Sequence, residues 1–463
     1  MRVFLLNPPY KKNYIRSARS TWPSISGSNW YPIFLSYAAG WLEKHGHNIK
    51  LVDALVSNTS VQGLLEIAKD FKPELLVLYV STQSLTNDLA IGEKIKKLTS
   101  CQVVLVGPWC AILPKNLLLK HKFIDSVARR EFDDIVLDLA NGKNKKDIKG
   151  ILYRNKDKVV ENQEREFLTP KQLDEFPYVT KIYKEHLEIS DYHQASLLHP
   201  YVDLFTARGC SWNRCTFCLW PNTIHKGAAY RVRSLESVVE EFKFIQKELP
   251  EIKEIFIQDD TLPASRARAL SALLLKKKIK IAWSCYARAD MDLETLKIMK
   301  KAGCRYLHVG YESIDEKILE NICKGTKPSQ MKEFTENTKK AGLRVHGDFI
   351  IGLPGETKET IKKTLKWAKD LKIEGYQFFI PQPQEGTPLW TLLKRKGYLD
   401  KKENISYPYL TFKELNESRF KAMREIYFTK NYIFNTIKNI ESMDDFLRLA
   451  RTGLHVIPSI IKK

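Results

Sequence analysis

Short, continuous apolar runs separated by helical patterns recur in two series along the chain, and this alternation restricts the fold more than any other feature. In the first series the runs are RVFLLN (2–7), IKLVDA (49–54), LLVLYVS (75–81) and CQVVLVG (101–107), with helical patterns such as LSYAAGWLEKHG (35–46) between them. In the second they fall at 201–206, 252–258, 279–284, 304–309, 345–351 and 375–380, with helical patterns at 234–249 and 292–303. Strands that are apolar on both faces and joined by helices form parallel sheets covered on both sides. The first series predicts a doubly wound, Rossmann-like α/β domain over residues 1–141. The second predicts a partial (β/α)6 barrel of the TIM type over 196–395. Residues 142–195 are charged and turn-rich, and read as a linker with one hairpin at GILYRNKDKVVEN. Residues 396–463 read as a helical, basic C-terminal region.

Both architectures take ligands outside the carboxyl ends of their strands. In the first domain the segments to read are therefore NPPY (7–10), STQSLT (81–86) and GPWCAILP (107–114). A hydrophobic share of 43% against 28% charged residues is globular rather than disordered. The apolar run in MRVFLLNPPY is too short for a signal peptide or a spanning helix, and no run of about 18 apolar residues follows. The expected location is a reducing cytoplasm. A net charge of +21 leaves open a nucleic acid, an anionic membrane surface, a phosphorylated substrate or a lysine-rich solvated surface. The lysines are scattered, without the aromatic interleaving of a single-strand binder.

Eight cysteines are too few and too unevenly spread for a disulfide scaffold in 463 residues. Three of them, Cys210, Cys215 and Cys218, directly follow the first strand of the second series, at the expected catalytic face of the barrel. A structural zinc site takes four protein ligands, usually from paired elements. Here there is one Cys-x2-Cys, and Cys101, Cys110, Cys285, Cys304 and Cys323 read as core thiols. Three thiolates on one loop suit an iron–sulfur cluster with one iron left for another ligand.

The segment ARGCSWNRCTFC resembles the cluster loop of the radical S-adenosylmethionine (SAM) superfamily. The segments FIQDDT (256–261), SCYARAD (284–290), HVGYESIDEKILENICKG (308–325), GDFIIGLPGET (347–357) and PQEGTPLW (383–390) resemble that family's later strand-end segments, in order. The resemblance implies that Cys210, Cys215 and Cys218 hold a 4Fe–4S cluster whose fourth iron binds SAM. It places Phe217 against the adenine, Glu312 and Ser313 near the ribose, and the backbone from Gly347 to Gly352 along the adenine. Arg288 would contact the SAM carboxylate. Asp259 and Asp260 project at the catalytic face, where side-chain alternation lets only one point inward. Tyr286, Tyr311 and His308 are further candidates for substrate contact. The spacing departs from the family at one point: Cys-x4-Cys-x2-Cys replaces Cys-x3-Cys-x2-Cys, so one residue of SWNR must bulge out.

The N-terminal segments resemble the cobalamin-binding domain that precedes many such barrels. This implies cofactor contacts at Asn7, Pro9, Ser81, Thr82, Gly107 and Pro108, and at Glu131 of ARREFDD, where Arg130 stands in place of the subfamily's glycine. The Asp-x-His-x-x-Gly signature is absent, so cobalamin would bind without a histidine on cobalt. The stretch CTFCLWPNT…YRVRSLESVVEE resembles the hopanoid-associated branch, which acts on bacteriohopanepolyol side chains.

The implied activity is reductive cleavage of SAM to a 5′-deoxyadenosyl radical, with an electron donor such as flavodoxin or ferredoxin as partner. The expected reaction is cobalamin-dependent C-methylation of a small-molecule or lipid substrate. The alternatives are a cobalamin-independent rearrangement or carbon–carbon bond formation on a lipid or hopanoid-type intermediate, and a non-catalytic iron–sulfur or zinc protein that binds nucleic acid. A nucleic-acid partner is disfavoured by five ordered SAM-like segments. The tail FLRLARTGLHVIPSIIKK (446–463) has the pattern of an interfacial helix, which would allow peripheral contact at the inner face of a membrane.

Overall fold

The computed structural model describes residues 1–16, 21–438, 440 and 443–461. The first apolar series forms a seven-stranded sheet. Its strands are β1 (Arg2–Asn7), β2 (Asn48–Asp53), β3 (Leu75–Tyr79), β4 (Gln102–Val106), β5 (Ser126–Ala128), β6 (Ile151–Asn155) and β7 (Lys158–Glu161), in the spatial order β2-β1-β3-β4-β5-β6-β7. The first five run parallel and the last two antiparallel. Val3 to Leu6 of β1 have no exposed surface, which is why the strand reads as a continuous apolar run. The strand order reverses between β1 and β3, so NPPY and the loop after β3 emerge at the switch point where such sheets bind ligands.

The hairpin read within 142–195 is β6–β7, but it extends this sheet instead of belonging to a separate linker. Ile148, Ile151 and Leu152 enter the sheet's cores. The helix Val179–His186 buries Val179, Ile182 and Tyr183 and packs on the helix Ile33–Lys44. The lysines of this stretch face solvent, and too few apolar positions remain for a sequence pattern to show.

The second series forms β8 (Tyr201–Leu204), β9 (Glu254–Ile257), β10 (Ala282–Ala287), β11 (Cys304–Glu312), β12 (Arg344–Ile350) and β13 (Gly375–Phe379). All are parallel and lie in chain order, with helices as the outer layer. β10 starts three residues later than read, because the helix Ala264–Lys276 ends in a turn with Lys278 at φ +56°. The register stacks side chains in layers. Tyr286, His308, His346 and Gly375 share one, and Gly310, Asp348 and Gln377 share the next toward the mouth.

The N-terminal half closes the flank of this partial barrel. Tyr31 is sandwiched between Tyr183 and Tyr192 at 4.1 and 3.9 Å. Its hydroxyl donates to the Tyr201 carbonyl at 2.7 Å. Trp30 meets Phe256 edge-on at 6.1 Å. The C-terminal region is helical at Phe412–Tyr427, Lys430–Lys438 and Met443–Ile461. Its last two helices leave Phe434, Met443 and Leu454 67%, 71% and 78% exposed. Lys462 and Lys463, the end of the tail read as interfacial, lie outside the described residues. No helix among the described residues is long and apolar enough to cross a membrane.

Candidate active site

After β8 the chain forms a short ribbon, Ala207–Arg208 paired antiparallel with Arg231–Val232, and the cysteine loop lies between its strands. Asp259 braces the root of this loop. Its carboxylate accepts from the backbone N–H of Thr206 at 2.6 Å and of Ala207 at 3.0 Å, and from the Thr206 hydroxyl. Burial pushes its pKa up to about 6 in spite of these donors. Asp259 is therefore turned into the scaffold. Asp260 alternates to the other side of the chain and acts electrostatically on Cys218 and His225.

Cys210, Cys215 and Cys218 are free thiols of intermediate burial. The extra residue is absorbed by Asn213, whose φ is +53°; asparagine tolerates the left-handed region better than most residues. Trp212 turns outward and holds the kink. Its indole N–H donates to the Cys323 carbonyl at 2.8 Å. Its ring lies under the guanidinium groups of Arg288, at 4.4 Å, and Arg214, at 5.3 Å. A Cβ on Gly325 would overlap the Trp212 ring. On the other side of the loop, the Asn222 amide donates to the carbonyls of Cys215 and Cys218 at 3.0 and 2.7 Å.

Among the described residues, one set of three metal-ligating side chains has its ligand atoms within 4.8 Å of one another: Glu43, Glu185 and His186. The three cysteine sulfurs are spread more widely. Three thiolates on a single zinc would lie about 3.8 Å apart, given Zn–S bonds of about 2.3 Å. Three thiols on one loop, with no fourth protein ligand beside them in the sequence, are the donor set of an iron–sulfur cluster with one iron left open.

Above the loop lies a buried ion pair, Lys324 Nζ to Glu312 at 2.6 Å. The backbone is kinked there, with Glu312 at φ +64°. A Cβ on Gly310 would overlap the Glu312 carboxylate, so the glycine makes room for the pair. Burial works against the charge on Lys324, yet Glu312 and Cys215 beside it hold its pKa above the ordinary range. The Lys324 carbonyl accepts from Arg288 at 3.0 Å, and Arg288 also pairs with Asp290 at 2.9 Å. One layer down, His346 lies 3.4 Å from Asp348 and stacks on His308 at 5.0 Å. Gly375 leaves the space that the His346 ring occupies. Lys324, Trp212, His346 and Asp348 were not selected from the sequence, although all but His346 lie within segments that were.

Several selected residues point elsewhere. The Ser313 hydroxyl faces the helix Lys358–Leu371, meeting Thr364 at 3.3 Å and accepting from the Asp315 N–H at 3.1 Å. Gly347 faces Ile373, Tyr311 and Phe349 in the outer layer. Tyr311 lies in the same layer, with its hydroxyl 2.6 Å from that of Thr335. Tyr311 and Ser313 alternate with the inward Gly310 and Glu312, between which the pairing with the next strand shifts register. Gly352 has φ +97° and its Cβ direction faces Leu415, while its carbonyl accepts from the Tyr407 hydroxyl at 3.0 Å. Phe217 is half-buried against the barrel core.

In the first domain, Asn7 and Ser81 shape the loops at the carboxyl edge. Asn7 donates to Asp53 at 2.8 Å and accepts from Arg16 at 2.9 Å. Arg16 pairs with Asp88 at 3.0 Å, both side chains fully buried. Ser81 and Ser84 share a hydrogen bond at 2.7 Å, and Ser84 donates to Asp88 at 2.6 Å. Burial pushes Asp53 and Asp88 up to about 6. Thr82 is exposed and Pro9 half-buried at the rim. Gly107 takes φ +120°, where a Cβ would crowd the Val80 carbonyl, and Pro108 opens the turn that follows.

This edge faces the barrel mouth. Gln83 donates to Gln382 at 2.5 Å, and Trp109 packs with Leu219, Trp220 and Ile224 just beyond Cys218. Glu131 is not at the edge. Its two oxygens accept from Arg231 at 2.8 Å each, and Arg208, held by Asp133 at 2.6 Å, lies 3.7 Å away. The carboxylate clamps the first domain to the ribbon that carries the cysteine loop. Arg130 occupies the subfamily's glycine position with a glycine-like φ of +59°.

Residues 204–368 match the radical SAM superfamily. The uncharacterized methyltransferase PH0819 of Pyrococcus horikoshii is 31% identical over 398 residues, covering 84% of this chain and 82% of that protein. Cytidylyl-2-hydroxyethylphosphonate methyltransferase of Streptomyces wedmorensis is 25% identical over 433 residues, covering 81% and 80%. The structure of TsrM from Kitasatospora setae, with cobalamin and a [4Fe–4S] cluster bound, shares the fold with a TM-score of 0.71 at 15% identity, over 100% of this chain and 99% of that one. A three-cysteine loop at a barrel mouth, in a chain with a relative of this identity along most of its length, leads to one assignment: the protein is an enzyme of the radical SAM superfamily.

Proposed function

We propose that the chain is a cobalamin-dependent radical SAM C-methyltransferase. The observation that carries this reading is the opposition of two ligand-binding edges: the carboxyl edge of the first sheet faces the barrel mouth, joined by Gln83–Gln382 and by Trp109 on Trp220. Cobalamin held on the first edge would lie over SAM held at the second. When bound, the cluster and SAM supply a carbon-centred radical, and methylcobalamin supplies the methyl group.

The protein's residues bind, orient and enclose. Cys210, Cys215 and Cys218 hold the cluster, Asp259 positions their loop, and Phe217 flanks the adenine. Glu312, Lys324, Arg288 and Asp260 form the polar rim for SAM. Pro9, Thr82, Gly107 and Pro108 bring backbone and small side chains close to the corrin, while Asn7 and Ser81 act through the Arg16 network. His308, His346 and Asp348 offer hydrogen bonds to a polar end of the substrate. Exposed apolar side chains on the last two helices support contact with an anionic membrane surface. A substrate with a polar reacting end and an apolar body, as in the hopanoid-associated branch, suits both features.

The test is reconstitution with iron and sulfide, then incubation with reductant, SAM and hydroxocobalamin. Wild type should form 5′-deoxyadenosine and S-adenosylhomocysteine and retain cobalamin through gel filtration, while Cys215→Ala forms neither product. 5′-Deoxyadenosine without retained cobalamin would favour the rearrangement or carbon–carbon bond-forming alternative. Absence of 5′-deoxyadenosine in every condition would sink the radical reading.

A further inference from the structure

We infer that the surface bearing Lys226, Arg395 and Lys396, continuous with the outer side of the cysteine loop, docks an acidic one-electron donor protein. The inference rests on the proposed reading of that loop as a cluster site. Electrons must reach the cluster from outside over a short path, and the outer side of the loop beside Asn222 offers one. The first domain faces the barrel mouth, and Trp30 and Tyr31 close the flank. The outer side of the loop is covered by a thin layer. There Asn222 bonds the carbonyls of Cys215 and Cys218, and its other side lines an open cavity of about 410 Å³.

The opposite wall of this cavity is the helix Pro388–Lys396. Its Leu389 N–H donates to the Thr216 carbonyl, between the cluster cysteines, at 3.1 Å. One end of the helix is thus tied to the loop, and its last turn carries Lys394, Arg395 and Lys396 outward. Lys226 and Arg395 both line the cavity. Lys226, Arg395 and Lys396 are exposed. Lys394 lies 3.8 Å from Glu403 and is left out of the docking set. Exposed carboxylates nearby are Glu385, next to the cavity residue Gly386, and Glu164, which is neutralised by Arg130 at 2.7 Å.

Lys226, Arg395 and Lys396, on a chain of net charge +21, select an acidic partner and steer its encounter. In the step served, the donor loses one electron and the cluster gains it; no atom is transferred.

The test uses the cluster-loaded chain and an acidic flavodoxin. Binding is titrated by anisotropy at rising salt for wild type and for the triple variant Lys226→Glu, Arg395→Glu, Lys396→Glu. The variant should raise Kd by at least about 10-fold at low salt and flatten its salt dependence. 5′-Deoxyadenosine formation with reduced flavodoxin should fall in step, and formation with dithionite should stay at the wild-type level. An unchanged Kd would overturn the inference. So would equal losses with both reductants, or a nucleic-acid oligomer whose binding the reversal abolishes while flavodoxin binding persists. Failure of wild type to form 5′-deoxyadenosine with dithionite would instead overturn the cluster reading.

Discussion

Replacing Glu131 by Gln separates a structural clamp from a cofactor contact. Glu131 is buried, accepts both Arg231 hydrogen bonds at 2.8 Å, and lies 3.7 Å from Arg208. Burial favours its neutral form, but Arg208 and Arg231 outweigh it and hold the pKa at about 2. Against an unfolded value of about 4.3, the shift is worth about 3 kcal/mol at about 1.4 kcal/mol per unit. Removing one partner of a buried ion pair costs about 3–5 kcal/mol, so two routes agree near 3. Because the folded pKa is depressed, this stability is fully present above the unfolded pKa and is lost as pH falls toward about 2. The assay is urea unfolding of both proteins at pH 7 and at steps down to pH 3. Asp53 and Asp88, which burial shifts upward, cancel in the difference. The gap should be about 3 kcal/mol at neutral pH and shrink below about pH 4.5. A gap under about 0.5 kcal/mol, together with loss of cobalamin retention, would refute the clamp and restore Glu131 as a ligand contact.

Asp259→Asn replaces one of the oxygens that receive Thr206 and Ala207 by a donor, so it should cost about 1–3 kcal/mol and lower the iron retained per chain after desalting. Full iron retention at wild-type stability would show that the brace is dispensable. Phe434→Glu combined with Leu454→Glu places charge on two of the most exposed apolar positions of the last helices, and should abolish co-sedimentation with vesicles of anionic lipid. Wild type should pellet with such vesicles less as salt rises; no pelleting at low salt would remove the membrane contact.

The sheet and the barrel were legible because their strands are buried on both faces, which writes them as unbroken apolar runs at even spacing. The β6–β7 hairpin reads as part of a linker because its core contacts, Ile148, Ile151 and Leu152, are set among exposed lysines. The cysteine loop was legible because three thiols in nine positions have few other uses in a chain without disulfides. Side-chain direction was less accessible. Alternation from His308 and Gly310 carries Glu312 inward and leaves Tyr311 and Ser313 in the helix layer, and the residue types alone do not tell which phase of that alternation faces the mouth. Lys324 was hidden for a related reason: its partners Glu312 and Arg288 come from two different strands, and the glycine that makes room for the pair, Gly310, looks like any other. Arg130 shows the reverse case. It stands in place of the glycine of the resembled segment and takes φ +59°, in the left-handed region that glycine favours. At that position the fold retains a conformation, and the guanidinium that comes with it pairs with Glu164 at 2.7 Å. Asn213, within the longer spacing between Cys210 and Cys215, likewise takes a left-handed φ of +53°.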